Sequence, residues 1–242
     1  MNPIFSVIIV VFNAANYIED AILSVISQHY KKIELIIIDG GSIDGTVDII
    51  KKYDEYISFW RSEPDNGIYD AMNKGVRIAK GDYLYFLGAD DRLLNVLDEV
   101  ARLIGKIDDN NSIFYGDVIL DGDISKKLGG RFNKVKILFK NIPHQAIFYP
   151  RGFFLGREYN CKYKLLADYA LNLEAFSLNS NIWKYMNLVV AAYSTNGASS
   201  VLKDNDFSRD KNNLVKANFG FLYFMVYAFL RKIKLFWRAF CG

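Results

Sequence analysis

Apolar residues in the first ninety positions fall into short unbroken runs separated by polar turns. Residues 5–12 (Phe-Ser-Val-Ile-Ile-Val-Val-Phe) and 33–38 (Ile-Glu-Leu-Ile-Ile-Ile) are rich in β-branched side chains and show little alternation, the pattern of strands buried on both faces. Between them, residues 17–28 place Tyr17, Ala21, Ile22, Val25 and Ile26 at helical spacing. A helix bearing Val47, Ile50 and Tyr53, a strand over 57–61, a helix over 68–79 and a strand over 82–87 follow. Strand alternating with helix predicts an α/β, mostly parallel, doubly wound sheet, whose ligands sit at the carboxyl ends of the strands.

Beyond residue 110 the rhythm changes. A strand is predicted over 112–119, a helix over 165–178 and a strand over 183–193. The polar stretch from Asp121 to Lys140 carries Lys126, Lys127, Arg131, Lys134, Lys136 and Lys140. It reads either as a solvated hairpin or as a mobile lid meeting an anionic substrate. Residues 219–230 are almost wholly apolar, and Arg231, Lys232, Lys234 and Arg238 follow among Ile233, Leu235, Phe236, Trp237 and Phe240. That run alone is short of the roughly 20 residues a spanning helix needs. Its mixture of aromatic and basic residues suits a membrane interface, the alternative being a helix packed on the core.

Composition narrows the picture. Of 242 residues 51% are hydrophobic and 24% charged, which excludes an intrinsically disordered chain. The net charge of +3 is too small to indicate nucleic acid. Two cysteines, Cys161 and Cys241, and two histidines, His29 and His144, form neither a disulfide framework nor a zinc pattern. Met1–Ser6 has no basic stretch ahead of its apolar run, so it reads as a strand rather than a signal peptide and the expectation is a reducing cytoplasm.

Three constellations carry chemistry. Asp39-Gly40-Gly41-Ser42-Ile43-Asp44-Gly45-Thr46 places a carboxylate just past a buried strand, where it can accept from a base or ribose. It is neither a P-loop nor a dinucleotide fingerprint. Gly88-Ala89-Asp90-Asp91 puts two adjacent carboxylates at a strand end. They repel unless a donor or a hard cation sits there, or they cap a helix. Ser62-Glu63-Pro64-Asp65-Asn66-Gly67 enters a helix bearing Asp70, Asn73 and Lys74, an entry able to hold phosphate or sugar.

Together with Ser6–Asn13, these stretches resemble, in order and spacing, the donor half of the inverting family 2 glycosyltransferases with the GT-A fold. The run Ser62-Glu-Pro-Asp-Asn-Gly-Ile-Tyr-Asp-Ala-Met-Asn73 is closest to bacterial enzymes of the colanic acid, O-antigen and capsule type. The likeness continues through Pro143-His144-Gln145-Ala146, Ala167-Asp168-Tyr169 and Gly197-Ala198-Ser199-Ser200. It implies a GT-A domain over 1–212, with a donor half over 1–110 and an acceptor half over 111–212; the likeness does not cover the aromatic and basic tail over 213–242, whose composition is what predicts membrane association. It implies a UDP-sugar donor held by Asp39 (on uracil), Asn13, Asp65, Asn73 and Asp90. Mn²⁺ or Mg²⁺ would sit on Asp91 and Asp90, and Asp168 would be the general base. His144 and Gln145 would lie at the acceptor, and a lone histidine of this kind is otherwise a structural residue. The basic tail and the basic 126–140 stretch motivate an undecaprenyl-diphosphate-linked sugar as acceptor, at the inner face of the cytoplasmic membrane, with no nucleic-acid partner. A GDP-sugar donor, a nucleotidyltransferase and a non-catalytic membrane-associated assembly factor are the alternatives. Two departures stand out: many members carry Asp where this chain has Gly88, and Pro-Thr where it has Val10-Val11.

Overall fold

The computed structural model describes residues 2–107, 109–195 and 203–240, without the side chains of 234–240. The Gly197–Ser200 stretch, Cys241, and the tail side chains Lys234, Leu235, Phe236, Trp237, Arg238 and Phe240 therefore lie outside the described residues. The strands are β1 (Phe5–Val11), β2 (Ile33–Asp39), β3 (Phe59–Ser62), β4 (Tyr83–Gly88), β5 (Arg92–Leu93), β6 (Ile113–Leu120), β7 (Asp123–Leu128), β8 (Ile147–Pro150) and β9 (Trp183–Tyr193). The helices are α1 (Ile18–Ile26), α2 (Thr46–Lys52), α3 (Ile68–Ile78), α4 (Leu97–Ile107), α5 (Lys136–Phe139), α6 (Ala167–Leu178) and α7 (Asn205–Phe240).

One sheet runs β3-β2-β1-β4-β8-β6-β9-β5, with β7 paired to β6. The first four strands in that order are parallel, as the alternation of strand and helix predicts. From β8 onward the sheet is mixed: β8 runs antiparallel to both β4 and β6, and β9 parallel to β6. Every residue of β1 and β4 is buried. Alternate side chains feed two cores: Ile8, Val10, Ile36 and Ile38 face one, and Val7, Ile9, Val11 and Ile37 face the other. Two faces of burial explain why these strands lack a polar side.

The Asp121–Lys140 stretch contains the strand β7 and the short helix α5. Its first part is the edge strand β7, and Lys127 reaches the buried Asp117 carboxylate at 3.1 Å. Lys136 donates to the carbonyls of Gly129 and Arg131 while lying 4.2 Å from the Phe132 ring centre. Burial pushes its ammonium down from the usual lysine range.

The tail is helical from Asn205, with a break at Gly220 (φ 80°, ψ 176°). By length and composition Asn205–Ile233 is apolar enough to cross a membrane, a length that the 219–230 run alone does not reach. One side of α7 nevertheless packs on the protein: Phe207, Val215 and Tyr227 are buried, and Phe219, Tyr223 and Phe224 lie against the core. The other side exposes Phe221, Leu222, Met225, Val226, Phe229, Leu230 and Ile233.

Helix α3 meets β1 at Gly75, where an added Cβ would stand 2.5 Å from Ile8 Cγ2. Gly75→Ala should therefore lower stability by about 1–3 kcal/mol through overpacking, although alanine is the better helix former. Thermal melts check this, and pairing the change with Ile8→Ala, which removes that methyl, should cost less than the two single changes summed.

Candidate active site

Sheet register assembles the site. Val11 lies beside Asp39, Asp39 beside Ser62, and Val10 beside Gly88. The turns leaving β1, β2, β3 and β4 therefore open along one edge. A cleft of about 430 Å³ lies there, lined by Val10–Ala14, Tyr17, Asp65, Gly67, Ile68, Ala71 and Gly88–Asp90. A larger groove of about 820 Å³, lined by Arg77, Arg151, Leu155, Arg157 and their neighbours, shares none of the predicted site residues. It sits by the amino end of β4, where Pro150 pairs with Tyr83. The smaller cleft is the one that Asn13, Asp65 and Asp90 line.

Asp39 is wholly buried, and donors from the adjoining turns fill its oxygens. Oδ2 accepts from the Gly41 and Ser42 N–H groups at 3.1 and 2.9 Å and from the Ser62 hydroxyl, while Oδ1 accepts from the Ser42 hydroxyl. Asn13 (φ 47°) fastens the first turn to the second, accepting from Ile43 N–H at 3.0 Å and donating its own N–H to Ser42 Oγ at 2.7 Å. Asp44 does the same work nearby, accepting from Ala15 N–H and from Thr46. The Thr46 hydroxyl holds its carboxyl below the usual range. Asp39 thus holds the turn that shapes the cleft, and its own wholly buried side chain is not among the residues that line it.

Asp90 and Asp91 diverge. Asp90 lines the cleft, and its carboxylate takes no hydrogen bond or ion pair from the described residues. Asp91 turns inward, 2% exposed, and accepts from Ser194 N–H at 2.9 Å and Gln145 Nε2 at 2.7 Å. Burial, with the charge of Asp90 behind it, pushes its carboxyl above the ordinary range. Gly88 makes room for this arrangement: a Cβ there would stand 2.5 Å from Asp91 Oδ2 and 3.1 Å from Asp90 Oδ1. The described residues contain no group of three or more His, Cys, Asp or Glu poised for a metal. An open carboxylate lining this cleft fits a hard divalent cation that takes its remaining ligands from phosphate and water. Asp91, as placed, does not face the cleft.

Behind the first turn of α3 lies a second cluster. Asp168, at the start of α6, is 4% exposed. It accepts from the Tyr69 hydroxyl, from Tyr169 N–H and from Asn141 Nδ2, each at 2.8 Å, with His144 Nδ1 3.4 Å from Oδ2. Burial and the neighbouring Asp168 charge push the Tyr69 phenol well above its usual range, so it stays a donor. Asp204 pins the entrance of α6, accepting from Leu165 and Leu166 N–H, and its other oxygen caps α7 at Phe207 N–H.

The structure therefore brings Asn13, Asp65 and Asp90 to the cleft and gathers His144 with Asp168, while Gln145 meets Asp91. It does not bring Asn73 there. That amide is buried, donating to the Tyr159 carbonyl at 2.9 Å and accepting from Tyr159 N–H at 2.8 Å. Tyr69, Asn141 and Asp204 escaped the sequence reading. Tyr69 stands inside a quoted motif, but its partner lies 99 residues away.

Solved structures share this architecture. The chain aligns with S. aureus TarS 1-349 in complex with UDP-GlcNAc at TM-score 0.71 and 16% identity, covering 89% of this chain and 66% of that one. It aligns with the mannosyltransferase PcManGT from Pyrobaculum calidifontis, in complex with GDP-Man and Mn²⁺, at TM-score 0.62 and 15% identity, covering 97% and 65%. Of a longer TarS chain it spans 39%. The fold is that of the GT-A glycosyltransferases. Residues 6–162 match the family model for glycosyl transferase family 2. A PGL/p-HBAD biosynthesis glycosyltransferase of Mycobacterium bovis is 40% identical over 214 residues, 85% of this chain and 82% of the relative. The chain belongs to glycosyl transferase family 2 and is a glycosyltransferase, which sets aside the nucleotidyltransferase and assembly-factor alternatives.

The two placements make a paired expectation. Asn73→Ala should cost about 1–3 kcal/mol of stability, since it strands buried backbone groups of Tyr159, and leave UDP affinity within about threefold. Asp90→Asn should keep the melting temperature and weaken UDP binding in the presence of Mn²⁺. Thermal melts and calorimetric titration check both.

Proposed function

We propose that the protein transfers a sugar, a hexose, from a UDP-sugar to a lipid-diphosphate-linked sugar acceptor, with inversion at the anomeric carbon. The observation that carries this reading is the geometry of the first turn of α3. Gly67 and Ile68 line the cleft, while the next residue, Tyr69, holds the Asp168 carboxylate. A donor in the cleft and a proton-accepting cluster would thus face one another across a single turn of helix. Family membership and a structural neighbour solved with UDP-GlcNAc support the nucleotide-sugar donor.

The residues divide the work. The β1 backbone end and Asn13 shape the base and ribose side of the cleft, and Asp65 stands over Gly40 at its mouth. Asp90 would hold Mn²⁺ or Mg²⁺. When bound, that cation neutralises the diphosphate charge that grows as the sugar leaves. The Asp168 cluster takes the acceptor proton, a contribution of about 10²–10⁴-fold. A GDP-sugar is the second donor reading, because a neighbour of the same fold was solved with GDP-Man and Mn²⁺.

The acceptor assignment rests on α7 and on the sequence resemblance to enzymes of surface polysaccharide synthesis. Phe221, Leu222, Met225, Val226, Phe229, Leu230 and Ile233 form an exposed stripe with Arg231 and Lys232 beside it. Amphipathic helices of this composition lie in the headgroup region of anionic bilayers. Since Tyr227 and Phe219 hold the opposite side to the core, the helix would lie along the inner face of the cytoplasmic membrane, where an undecaprenyl-diphosphate-linked sugar is presented.

The decisive test is a donor panel of UDP- and GDP-sugars with a synthetic N-acetylhexosamine-diphosphate-lipid, with Mn²⁺ or EDTA, read by mass spectrometry. One donor should add one sugar in a metal-dependent way, and Asp168→Asn and Asp90→Asn should each abolish the product. Near-normal turnover in either variant overturns its role. Separately, Leu222→Glu with Phe229→Glu should release the protein from phosphatidylglycerol vesicles without lowering its melting temperature. Unchanged co-sedimentation would remove the membrane assignment.

A further inference from the structure

The helix that carries Asp168 begins without a cap of its own. Leu166 stands at the N-cap position of α6 and has no side-chain oxygen with which to fix the turn. Asp204 fixes it instead: its Oδ2 accepts from Leu165 N–H at 2.9 Å and from Leu166 N–H at 3.2 Å. Its Oδ1 accepts from Phe207 N–H at 2.9 Å, the ordinary capping bond of α7. One carboxylate, 6% exposed, thus ties the starts of two helices together.

The bonds run on to Asp168. The Tyr69 hydroxyl lies 2.8 Å from the Leu165 carbonyl and 2.8 Å from Asp168 Oδ1, so its one hydrogen is shared between them. On the other side of Asp168, Tyr169 gives its N–H to Oδ1. The Tyr169 ring stacks on Phe207 at 5.1 Å between centres, and its hydroxyl accepts from Lys211 Nζ at 3.0 Å. Leu165 and Leu166 before Asp168, and Tyr169 after it, are therefore both gripped by the first turns of α7. A carboxylate that takes a proton from a bound hydroxyl has to come within hydrogen-bond reach of it. A misplacement of about 1 Å costs on the order of 10²-fold.

We infer that Asp204 is a positioning residue for the transfer reaction: by bracing Leu165 and Leu166 against the first turn of α7, it sets the angle at which Asp168 meets the acceptor hydroxyl. The inference rests on the role of Asp168 as the base proposed above. Asp204 exchanges no proton and touches no substrate. The acceptor proton passes to the Asp168 carboxylate as the acceptor oxygen bonds the anomeric carbon, and the nucleoside diphosphate leaves with the electron pair of the broken carbon–oxygen bond. The clamp lies ahead of the break at Gly220, and the apolar stripe lies beyond it. Positioning and membrane contact are thus carried by separate stretches of α7.

The test uses the full chain, with the UDP- or GDP-sugar that the wild type accepts and the synthetic N-acetylhexosamine-diphosphate-lipid. Asparagine has one acceptor oxygen where aspartate has two, so Asp204→Asn can cap α7 or brace α6 but not both. Asp204→Ser keeps a capping oxygen for α7 alone. Each should lower kcat by about 10- to 10²-fold. Each should still bind UDP with Mn²⁺ (GDP where the wild type uses a GDP-sugar) at full stoichiometry and wild-type affinity in calorimetric titration. Combined with Tyr69→Phe, Asp204→Asn should cost less than the product of the two single losses, since both act through one hydroxyl. Asp206→Asn, which alters a surface pair with Arg209 on the same turn, should leave kcat within about twofold. Retention of more than about a tenth of kcat in an Asp204 variant that binds the nucleotide fully overturns the inference. So do losses that multiply with that of Tyr69→Phe, or an equal loss in Asp206→Asn. Failure of both Asp204 variants to bind the nucleotide at full stoichiometry also overturns it, because Asp204 would then serve folding alone. Near-normal turnover in Asp168→Asn removes the base reading itself, which distinguishes that failure from this one.

Discussion

The parallel pairing of β1 with β2 and β4 is the constraint on which the site depends. In that register Val10 and Val11 end level with Gly88 and Asp39, and Ser62 ends level with Asp39 in the next strand. Because both faces of these strands are buried, a slip of one residue would exchange the two cores. The heights of the Asn13, Asp39, Asp65 and Asp90 turns are therefore set by hydrophobic packing well below them. The hydrogen bonds of Asn13, Asp39 and Asp44 then tie together turns that the packing has already brought level.

The strands that fix the register were readable because burial on both faces leaves a plain signature, an unbroken β-branched run. Asp90 was readable for a related reason: it is polar immediately after such a run. Helix α4 has a local signal of its own, since Leu97, Val100, Ala101 and Ile104 are its buried residues and fall at helical spacing. The antiparallel half was less legible. β8 is four residues long, too short for a period, and β7 presents lysines at a sheet edge. Asn73 looked like a ligand because a polar residue on a helix entering a cleft often is one. Its partner Tyr159 is 86 residues away, and no local pattern announces that contact. The same holds for Asp204, whose work is to join the starts of two helices, and for the inward turn of Asp91.

Three buried carboxylates share a design. Asp39, Asp91 and Asp168 are each held by neutral donors, namely backbone N–H groups with Ser, Tyr, Asn or Gln side chains. No lysine or arginine pairs with them among the described residues. Such donors stabilise a buried charge without cancelling it. The region around the cleft therefore keeps a negative field, which a diphosphate would meet unfavourably on its own and a divalent cation favourably. Asp90, open at the mouth, is where that field is most accessible to solvent.

The two-sided character of α7 also governs how the protein behaves away from lipid. Its inner side is committed to the core, so the helix cannot roll to hide Leu222, Met225 and Phe229 from water. Free in solution, the stripe is a contiguous apolar patch of the kind that drives self-association. Solubility, and with it the aggregation state in any detergent-free buffer, is thereby tied to the exposed stripe of α7.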